Sequence, residues 1–362
     1  MFKLFLKSLV LLGLLFLGSW AIRSIIDLPY SWPTDAELAR AMTLQEKPNQ
    51  YNTIFVGSSK TFRGMKPHIF NRYVRNNSNL KVTSFNYGLG GATAGQIYGL
   101  CRNLIDYDLP NLKYIFYELR SIQTSTQQKK FVKNLHTKRS RLWLKDWRGL
   151  KFGINAYWGL KEEKYTFFRK VKFSFYFFVK YIENKLNIGV VKDMALRKQE
   201  MKDLDLSIVG NDGYIRIEDD ADLIGIKNQH EAYVSDSTNI MNSNRKRSHE
   251  AFSPTNKVPG IFNNDAYADE LNILIEMAKS KGIRIIFVPH PMLKGNDYKN
   301  IRPVFNKLPA KNKVNLVDSK KFPEIYKADQ YWDETHTNDK GAMILTKTLA
   351  KKFIGIIEME RK

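Results

Sequence analysis

Residues 52–59, NTIFVGSS, give the clearest indication of the fold. They join a short apolar run to a glycine and two serines. The run 52–57 has the length and character of a strand buried in a parallel sheet. Ser58 and Ser59 follow at the carboxyl end of that strand, where α/β proteins place their functional sites. Serine is also a favoured N-cap of helices. The motif alone therefore leaves open whether these serines act in catalysis or cap a helix.

The run at 52–57 is the first of several apolar runs that alternate with helical segments. Residues 81–87 and 112–117 are the next predicted strands, and residues 67–75 and 95–105 are the predicted helices between them. Such alternation is typical of βαβ units in a parallel sheet.

The same alternation returns after Pro259. The second set of predicted elements comprises helices over residues 265–281 and 341–356 and strands over residues 283–289 and 314–318. Gly282 stands at the usual C-terminal position of the first of these helices. We therefore predict an α/β fold in which one three-layer α/β/α domain is built from two parts, residues 51–121 and 261–362.

Residues 122–260 separate the two parts and are predicted to form a helical insertion. Residues 122–200 are rich in Lys, Arg, Phe and Tyr, which predicts helices with aromatic faces and basic outer faces. Two roles stay open for the aromatic side chains: the core of a helical subdomain, or contact with sugars or anionic lipid. Residues 212–220, DGYIRIEDD, match a hairpin with Gly213 in its turn.

The charge and the cysteine content restrict the partners and the chemistry. The net charge is +22, from 58 Lys and Arg against 36 Asp and Glu. Such a charge favours nucleic acid, an anionic membrane surface or an anionic cell-wall polymer as partner, or serves solubility alone. A single cysteine, Cys101, excludes an intrachain disulfide and a cysteine metal cluster. We expect it to be buried as a small apolar side chain.

The N-terminal segment, residues 1–24, has the charge pattern of an exported protein. Lys3 and Lys7 precede the uncharged residues 8–22. Three interpretations stay open: an uncleaved membrane anchor, a signal peptide cleaved after the small-x-small pattern at 19–21, and a core helix. The first two place residue 30 onward outside the cytoplasm, periplasmic or at the cell surface, because the lysines lie on the N-terminal side. Residues 25–50 contain three prolines and are predicted to be a linker.

Two further motifs follow predicted strands or precede the last helix. In residues 332–336, WDETH, Asp333 and His336 are three residues apart, a spacing that lets a carboxylate face imidazole Nδ1. A polar loop with a surface histidine is the alternative. Residues 86–93, NYGLGGAT, form a glycine-rich loop that lets the backbone approach a ligand. The glycine spacing does not match a dinucleotide fingerprint, and no phosphate-loop lysine follows.

In their order and placement, the three motifs resemble those of the SGNH, or GDSL-like, hydrolase superfamily. The resemblance implies that Ser59 is the nucleophile, His336 the base and Asp333 the residue that orients the base. It also implies that the backbone N–H groups of Ser59 and Gly91 form part of an oxyanion hole. We expect no metal and no cofactor.

The chain departs from the family pattern at two places. Ser58 stands where the family usually has Asp. After the third strand, where the family usually has Asn, residues 117–120 are YELR. Arg120 either reaches the site or pairs with Glu118. Candidate substrate-binding residues are Asn86, Arg120 and His290, the last of which is equally well interpreted as a loop histidine with no special role.

The GSS motif, the apolar N-terminus and the large insertion are similar to those of membrane-anchored acyltransferases of this superfamily, such as the teichoic acid D-alanyl transfer protein and alginate O-acetyltransferases. The resemblance implies that a polytopic membrane acyltransferase donates an acyl group, which passes through an acyl-serine to an anionic or neutral glycan. An esterase that deacylates a glycan is the second prediction, and a noncatalytic membrane-tethered binder of polyanions is the third. Nucleic acid is not an expected partner, because an exported chain does not meet it.

Overall fold

The computed structural model describes residues 2–25, 35–107, 109–122, 138–159, 166–186, 204–220, 223–252, 265–291 and 297–360. The strands are β1 (Thr53–Gly57), β2 (Ser84–Gly88), β3 (Tyr114–Leu119) and β4 (Arg284–Pro289). The helices are α1 (Phe2–Ile25), α2 (Asp35–Glu46), α3 (Ser59–Gly64), α4 (Pro67–Asn77), α5 (Ala94–Asp106), α6 (Trp147–Trp158), α7 (Phe167–Lys185), α8 (Ile224–Val234), α9 (Ser237–Phe252), α10 (Asp265–Lys279), α11 (Asp297–Lys307) and α12 (Asp339–Met359).

The four strands form one parallel sheet in the order β2-β1-β3-β4. Phe55 in β1 lies in register with Asn86 in β2 and Phe116 in β3, so the carboxyl ends of the strands meet at one edge. The sheet confirms the predicted α/β fold. The predicted strands at 52–57, 81–87, 112–117 and 283–289 agree with the observed ones to within about three residues at each end.

Helices cover both faces of the sheet because alternate side chains of each strand point in opposite directions. Ile54 and Val56 of β1 belong to one apolar core, to which α2, α5, α6 and α10 contribute. Phe55 belongs to the other core, which α4 and α12 complete. Its ring stacks on Phe116 at 5.1 Å and meets the edge of Phe70 from α4 at the same distance. Cys101 is fully buried in the first core, as predicted.

The predicted strand at 314–318 is wrong. The segment makes one bridge to β4, between Lys313 and Phe287, and the Val314 N–H donates to the Phe287 carbonyl at 2.9 Å. The chain then turns away, because the Asn315 side chain accepts the Val317 N–H at 2.8 Å. The Val317 N–H is then engaged by a side chain and does not donate to a neighbouring strand.

The hairpin predicted for residues 212–220 is also wrong. The Asp212 carbonyl accepts the Asn86 N–H at 2.7 Å, so this segment covers the outer edge of β2. Gly213 has φ +78°, and a Cβ atom there would lie 2.3 Å from the Asn86 carbonyl oxygen. The glycine serves this close approach rather than a turn. A 3₁₀-helix, Ile217–Asp220, follows.

The predicted linker, residues 25–50, contains a packed helix. Leu38, Ala41 and Leu44 recur at helical spacing on one face of α2 and are buried in the first core. The Arg40 side chain is buried as well, and its Nε donates to the Gly213 carbonyl at 2.8 Å. The linker interpretation is therefore wrong for residues 35–46, and residues 26–34 lie outside the described residues.

The N-terminal segment forms α1 as a helix with exposed apolar side chains. More than half of the surface of several of them is exposed: Leu6, Val10, Leu11, Leu14, Leu15 and Leu17. This exposure contradicts the core-helix interpretation. Within the described part of the chain, no helix meets the requirements of length and apolarity for crossing a membrane, so the predicted membrane helix is not found there.

The described parts of the insertion are mainly helical, as predicted, apart from irregular stretches such as residues 210–216. Its aromatic side chains extend the first core, since Phe152 of α6 stacks on Tyr98 of α5 with ring centroids 4.1 Å apart. Trp143 and Phe177 are buried beside them. Other aromatic side chains of α7 point outward, so the aromatic residues of the insertion divide between a core and an exposed face.

Candidate active site

The two serines after β1 have different roles in the structure. Ser58 is the N-cap of α3, and its side chain accepts the Lys60 N–H at 3.3 Å. Ser59 is the first residue of α3, and its Oγ lies 2.8 Å from Nε2 of His336. The N-cap interpretation therefore holds for Ser58, while a catalytic role stays a prediction for Ser59, whose hydroxyl contacts the histidine.

Asp333 holds His336 in a defined orientation. Its Oδ2 lies 2.6 Å from His336 Nδ1. Its Oδ1 accepts the backbone N–H groups of Thr335 at 2.7 Å and of His336 at 3.0 Å. The loop is closed by a bond from the Trp332 N–H to the His336 carbonyl, at 2.9 Å. Ser59, His336 and Asp333 thus form one continuous chain of hydrogen bonds, as the order of the motifs predicts.

The charge state of Asp333 suits this arrangement. Burial alone would raise the pKa of Asp333, but the hydrogen bond and the charge of His336, with the two backbone N–H groups, lower that pKa to about 2. The carboxylate is ionised at neutral pH. An ionised acceptor at Nδ1 places the proton there and leaves Nε2 as the acceptor for the Ser59 hydroxyl.

The triad can be reached from solvent. Ser59 is half-buried, and about 20% of the His336 side chain is exposed, against 9% for Asp333. Gly91 is exposed in the loop after β2 and has φ +65°. The histidine side chain is therefore partly open to solvent, while the carboxylate behind it is more shielded.

The two N–H groups predicted for an oxyanion hole have no acceptor in the described parts of the chain. Around Ser59, the N–H groups of Ser58 and Thr61 donate to Glu118, and that of Phe62 donates to the Ser58 carbonyl. Neither the Ser59 nor the Gly91 N–H makes such a bond among the described residues. Both stay available for a ligand oxygen, although their role in an oxyanion hole remains a prediction.

Glu118, on β3, holds the turn that carries Ser59. Its carboxylate accepts the Ser58 N–H at 2.7 Å, the Ser58 hydroxyl at 2.7 Å and the Thr61 hydroxyl at 2.8 Å. The Thr61 N–H adds a weaker bond at 3.3 Å. The sequence analysis missed this role and considered Glu118 only as a partner of Arg120. An acidic residue inside the apolar strand YIFYEL was the available signal, since buried carboxylates need several donors.

The surroundings of Glu118 keep its carboxylate ionised. Burial would raise the pKa of Glu118, but the charges of Arg120, His290 and Lys60 and the hydrogen bond from Ser58 lower that pKa to about 2. A buried anion with this many donors is a rigid acceptor. It fixes the first turn of α3 and with it the position of Ser59.

Arg120 pairs rather than reaching for substrate. Its Nη1 donates to the Ala92 carbonyl in the glycine-rich loop at 2.8 Å. Its Nε lies 3.9 Å from Glu118, and its side chain is 15% exposed. Of the two roles left open for Arg120, the contacts favour the structural one, in which it links β3 to the loop that contains Gly91.

Asn86, a predicted candidate for substrate binding, is not placed to contact a substrate in the open site. Its side chain is fully buried, and Nδ2 donates to the carbonyls of Thr61 at 2.9 Å and Met65 at 2.7 Å. Its Oδ1 accepts the Gly88 N–H at 3.0 Å. These bonds use the amide to hold the end of α3 against β2.

His290 is also not placed to contact substrate. It follows β4 as predicted, but it is only 3% exposed. With Thr61, Glu118 and Met65 it lines a small cavity beneath α3. Its burial is the physical reason that the prediction fails, because a substrate in the open site does not reach it.

The insertion contacts the triad loop and α3 directly. His230 of α8 stacks on Trp332 with ring centroids 3.9 Å apart, and its Nδ1 lies 2.8 Å from the Trp332 carbonyl. Arg63 of α3 donates to the Arg216 carbonyl at 2.7 Å and pairs with Asp220. The predicted boundaries treat residues 122–260 as an addition to the domain, but the described parts help to hold the site.

Within the described residues, no group of three or more His, Cys, Asp or Glu side chains is arranged to hold a metal ion. No family model matches the chain. No curated protein matches it in sequence either. The arrangement of the site therefore has to be interpreted from its own geometry.

Proposed function

We propose that the protein is a serine-dependent acyltransferase that works through an acyl-serine intermediate. The observation that carries the proposal is the hydrogen-bonded chain from Ser59 through His336 to Asp333, with contacts of 2.8 and 2.6 Å. A nucleophile, a base and a carboxylate that orients the base are the parts that this chemistry needs. The site lies at the carboxyl ends of parallel strands, where α/β enzymes bind their substrates.

The reaction has two half-reactions. The Ser59 hydroxyl attacks the acyl carbonyl of the donor as His336 Nε2 takes its proton, and His336 then gives that proton to the leaving group. This leaves an ester between the acyl group and Ser59. In the second half-reaction a glycan hydroxyl loses its proton to His336 and attacks the acyl-serine. The proton returns to Ser59, and the acylated glycan leaves.

The developing negative charge on the carbonyl oxygen needs donors. We assign this role to the N–H groups of Ser59 and Gly91, whose lack of an acceptor among the described residues supports the assignment. Asp333 stabilises the imidazolium that forms on His336, because it is ionised at neutral pH. The geometry supports these roles without assigning the acyl group.

The transfer reaction, its partners and the SGNH-type architecture follow from the resemblance of the motifs. The donor would be a polytopic membrane acyltransferase and the acceptor an extracytoplasmic glycan. The cores on both faces of the sheet are consistent with a three-layer domain of this type. Hydrolysis of an acylated glycan is the second candidate, and the partial exposure of the His336 side chain supports it, since solvent reaches the residue that would activate water. The hydrogen-bonded triad speaks against a noncatalytic binding protein.

Labelling of the full chain with a fluorophosphonate probe tests the nucleophile. The wild type should be labelled at Ser59, Ser59→Ala should not be labelled, and His336→Ala should be labelled on the order of 10⁴-fold more slowly. Ser235→Ala is the matched control, because Ser235 is exposed and lies outside the site. Ser58→Ala is unsuitable, since Ser58 caps α3 and bonds to Glu118. Equal labelling of Ser59→Ala and wild type would exclude Ser59 as the nucleophile.

A second measurement separates transfer from hydrolysis. The wild type is incubated with an activated acyl ester, with and without an acceptor glycan, and the products are identified by mass spectrometry. Acylated glycan that forms only with intact Ser59 supports transfer. Free acid as the sole product, at a rate that the glycan does not change, supports the esterase instead.

A further inference from the structure

Helix α7 (Phe167–Lys185) carries an apolar face that the rest of the described chain does not cover. Phe168 is 82% exposed and Phe175 64%, and Val171 and Phe178 are exposed between and beyond them. Positions 168, 171, 175 and 178 are spaced by three or four residues, so they form one stripe along the helix. We refer to these four residues as the outer stripe.

The opposite side of α7 explains why the outer stripe cannot be part of the core. Phe177 is fully buried and meets the edge of Trp143 with ring centroids 6.0 Å apart. Phe173 packs on Tyr157 of α6 at 4.6 Å. The helix is thus already held by an apolar inner face. The outer stripe is a second apolar face that points to solvent.

The charges along the outer stripe are basic up to Glu183 in the last turn of α7, which pairs with Lys180. Between Thr166 and Ile182 the sequence has four basic residues and no acidic one. Arg169 and Lys172 are exposed on the flank of the stripe, and Lys172 lies 5.9 Å from the Tyr176 ring. Phenylalanines on one face with arginine and lysine beside them are typical of helices that lie in the interface of an anionic bilayer.

We propose that α7 docks the domain onto an anionic lipid surface, with the outer stripe in the acyl-chain boundary and Arg169 and Lys172 among the headgroups. This interaction surface is independent of the proposed chemistry at Ser59. Two copies of this basic face would repel each other, which disfavours a dimer through it. A glycan needs hydrogen-bonding groups between its stacking rings, and the outer stripe has only apolar side chains.

The test uses the full chain reconstituted in vesicles, so that α1 is present in every sample. Val171→Cys is labelled with an environment-sensitive fluorophore, because Val171 lies in the stripe and the change keeps all phenylalanines. The native Cys101 does not interfere, since it is fully buried and burial raises the pKa of its thiol. Ile224→Cys is the matched control, at an exposed apolar position on another helix. Quenching by nitroxide-labelled lipid is measured in phosphatidylcholine vesicles with and without phosphatidylglycerol.

The label at 171 should lose most of its fluorescence to the lipid quencher in vesicles with phosphatidylglycerol, and the label at 224 should not. When Phe168→Asp and Phe175→Asp are combined, quenching of the label at 171 should fall to the level seen for the label at 224. High ionic strength should have the same effect. Circular dichroism confirms that this variant keeps its fold. Three results would overturn the proposal: no quenching at 171, equal quenching in neutral vesicles, or a spectral shift that depends on protein concentration without lipid. The last would identify a second copy of the chain as the occupant.

Discussion

At the scale of single residues, a buried carboxylate on β3, that of Glu118, holds the turn that precedes Ser59. Ser58 has no charge of its own, but its N–H and hydroxyl both donate to Glu118. Thr61, one turn further, donates to the same carboxylate. The turn that carries Ser59 is therefore held from a neighbouring strand, through one hydrogen-bonded network of Ser58, Thr61 and Glu118.

Glu118→Gln should lower the free energy of unfolding at neutral pH by about 3 kcal/mol. The carboxylate accepts hydrogen bonds from Ser58 and Thr61, whereas the amide NH₂ group of glutamine would face these donors with a donor of its own. A folded pKa of about 2, below the usual value of about 4.3, means that ionised Glu118 stabilises the fold above about pH 4.3. That contribution is lost as the pH falls towards about 2. Urea unfolding at several pH values should show a steeper acid loss in the wild type than in the variant.

The control for this change is Glu276→Gln, since the Glu276 side chain is 71% exposed and pairs only loosely with Lys279. It should unfold as the wild type does at every pH. If Glu118→Gln matches the wild type at neutral pH, the carboxylate does not hold the turn.

At the scale of elements, α3 lies so close to β2 that only glycine fits between them. A Cβ atom on Gly88 would lie 2.5 Å from the Phe62 nitrogen and 2.7 Å from its Cα, both of them main-chain atoms. Asn86, two residues earlier, bonds to the carbonyls of Thr61 and Met65. The glycine and the amide together set the distance from the helix to the sheet, and so the position of Ser59 relative to His336.

Gly88→Ala should push α3 away from β2. We expect a loss of about 1–3 kcal/mol in the free energy of unfolding, as for other overpacked cores. The rate of fluorophosphonate labelling should fall by up to about 10²-fold, since a displacement of about 1 Å costs that much in a positioned site. Thermal melts and labelling rates measure the two effects.

Gly90→Ala is the matched glycine change, because its Cβ atom would meet only the Glu37 carboxylate at 3.8 Å, an ordinary contact. It should keep both stability and labelling. Normal labelling of Gly88→Ala would show that the spacing of α3 does not position Ser59.

At the scale of the whole molecule, the location of the chain determines which substrates it meets. Lys3 and Lys7 precede the apolar residues of α1, and the leucines of that helix are exposed. Positive charge before an apolar segment favours the cytoplasmic side for the N-terminus. The net charge of +22 would favour an anionic envelope as the surroundings of the domain.

We expect residues 30–362 to lie outside the cytoplasm. In intact spheroplasts of a bacterial host that expresses the full chain, added protease should digest the domain, while a cytoplasmic marker stays protected. Protection of the domain until the cells are lysed would contradict the prediction. This experiment does not depend on the chemistry at Ser59, so the two can fail separately.

The amino-acid sequence predicted the α/β class and the four strands of the sheet, together with a fifth strand at 314–318 that does not form. These features depend on local patterns, because a buried parallel strand is a short apolar run and the ends of such strands share one edge of the sheet. The resemblance of the three motifs to those of the SGNH superfamily implied that Ser59, rather than Ser58, meets His336 and Asp333.

The contacts of the polar residues near the triad could be known only from the tertiary structure. Asn86 lies within β2 and His290 follows β4, but both are buried. The Asn86 amide holds α3, and His290 is enclosed beneath that helix. Glu118 pairs with donors 57 and 60 residues away, and His230 meets Trp332 across 102 residues. Partners so distant in the chain leave no periodicity in the sequence. Their contacts arise only when the sheet, α3 and the insertion pack together, because burial then forces each polar group to find a partner.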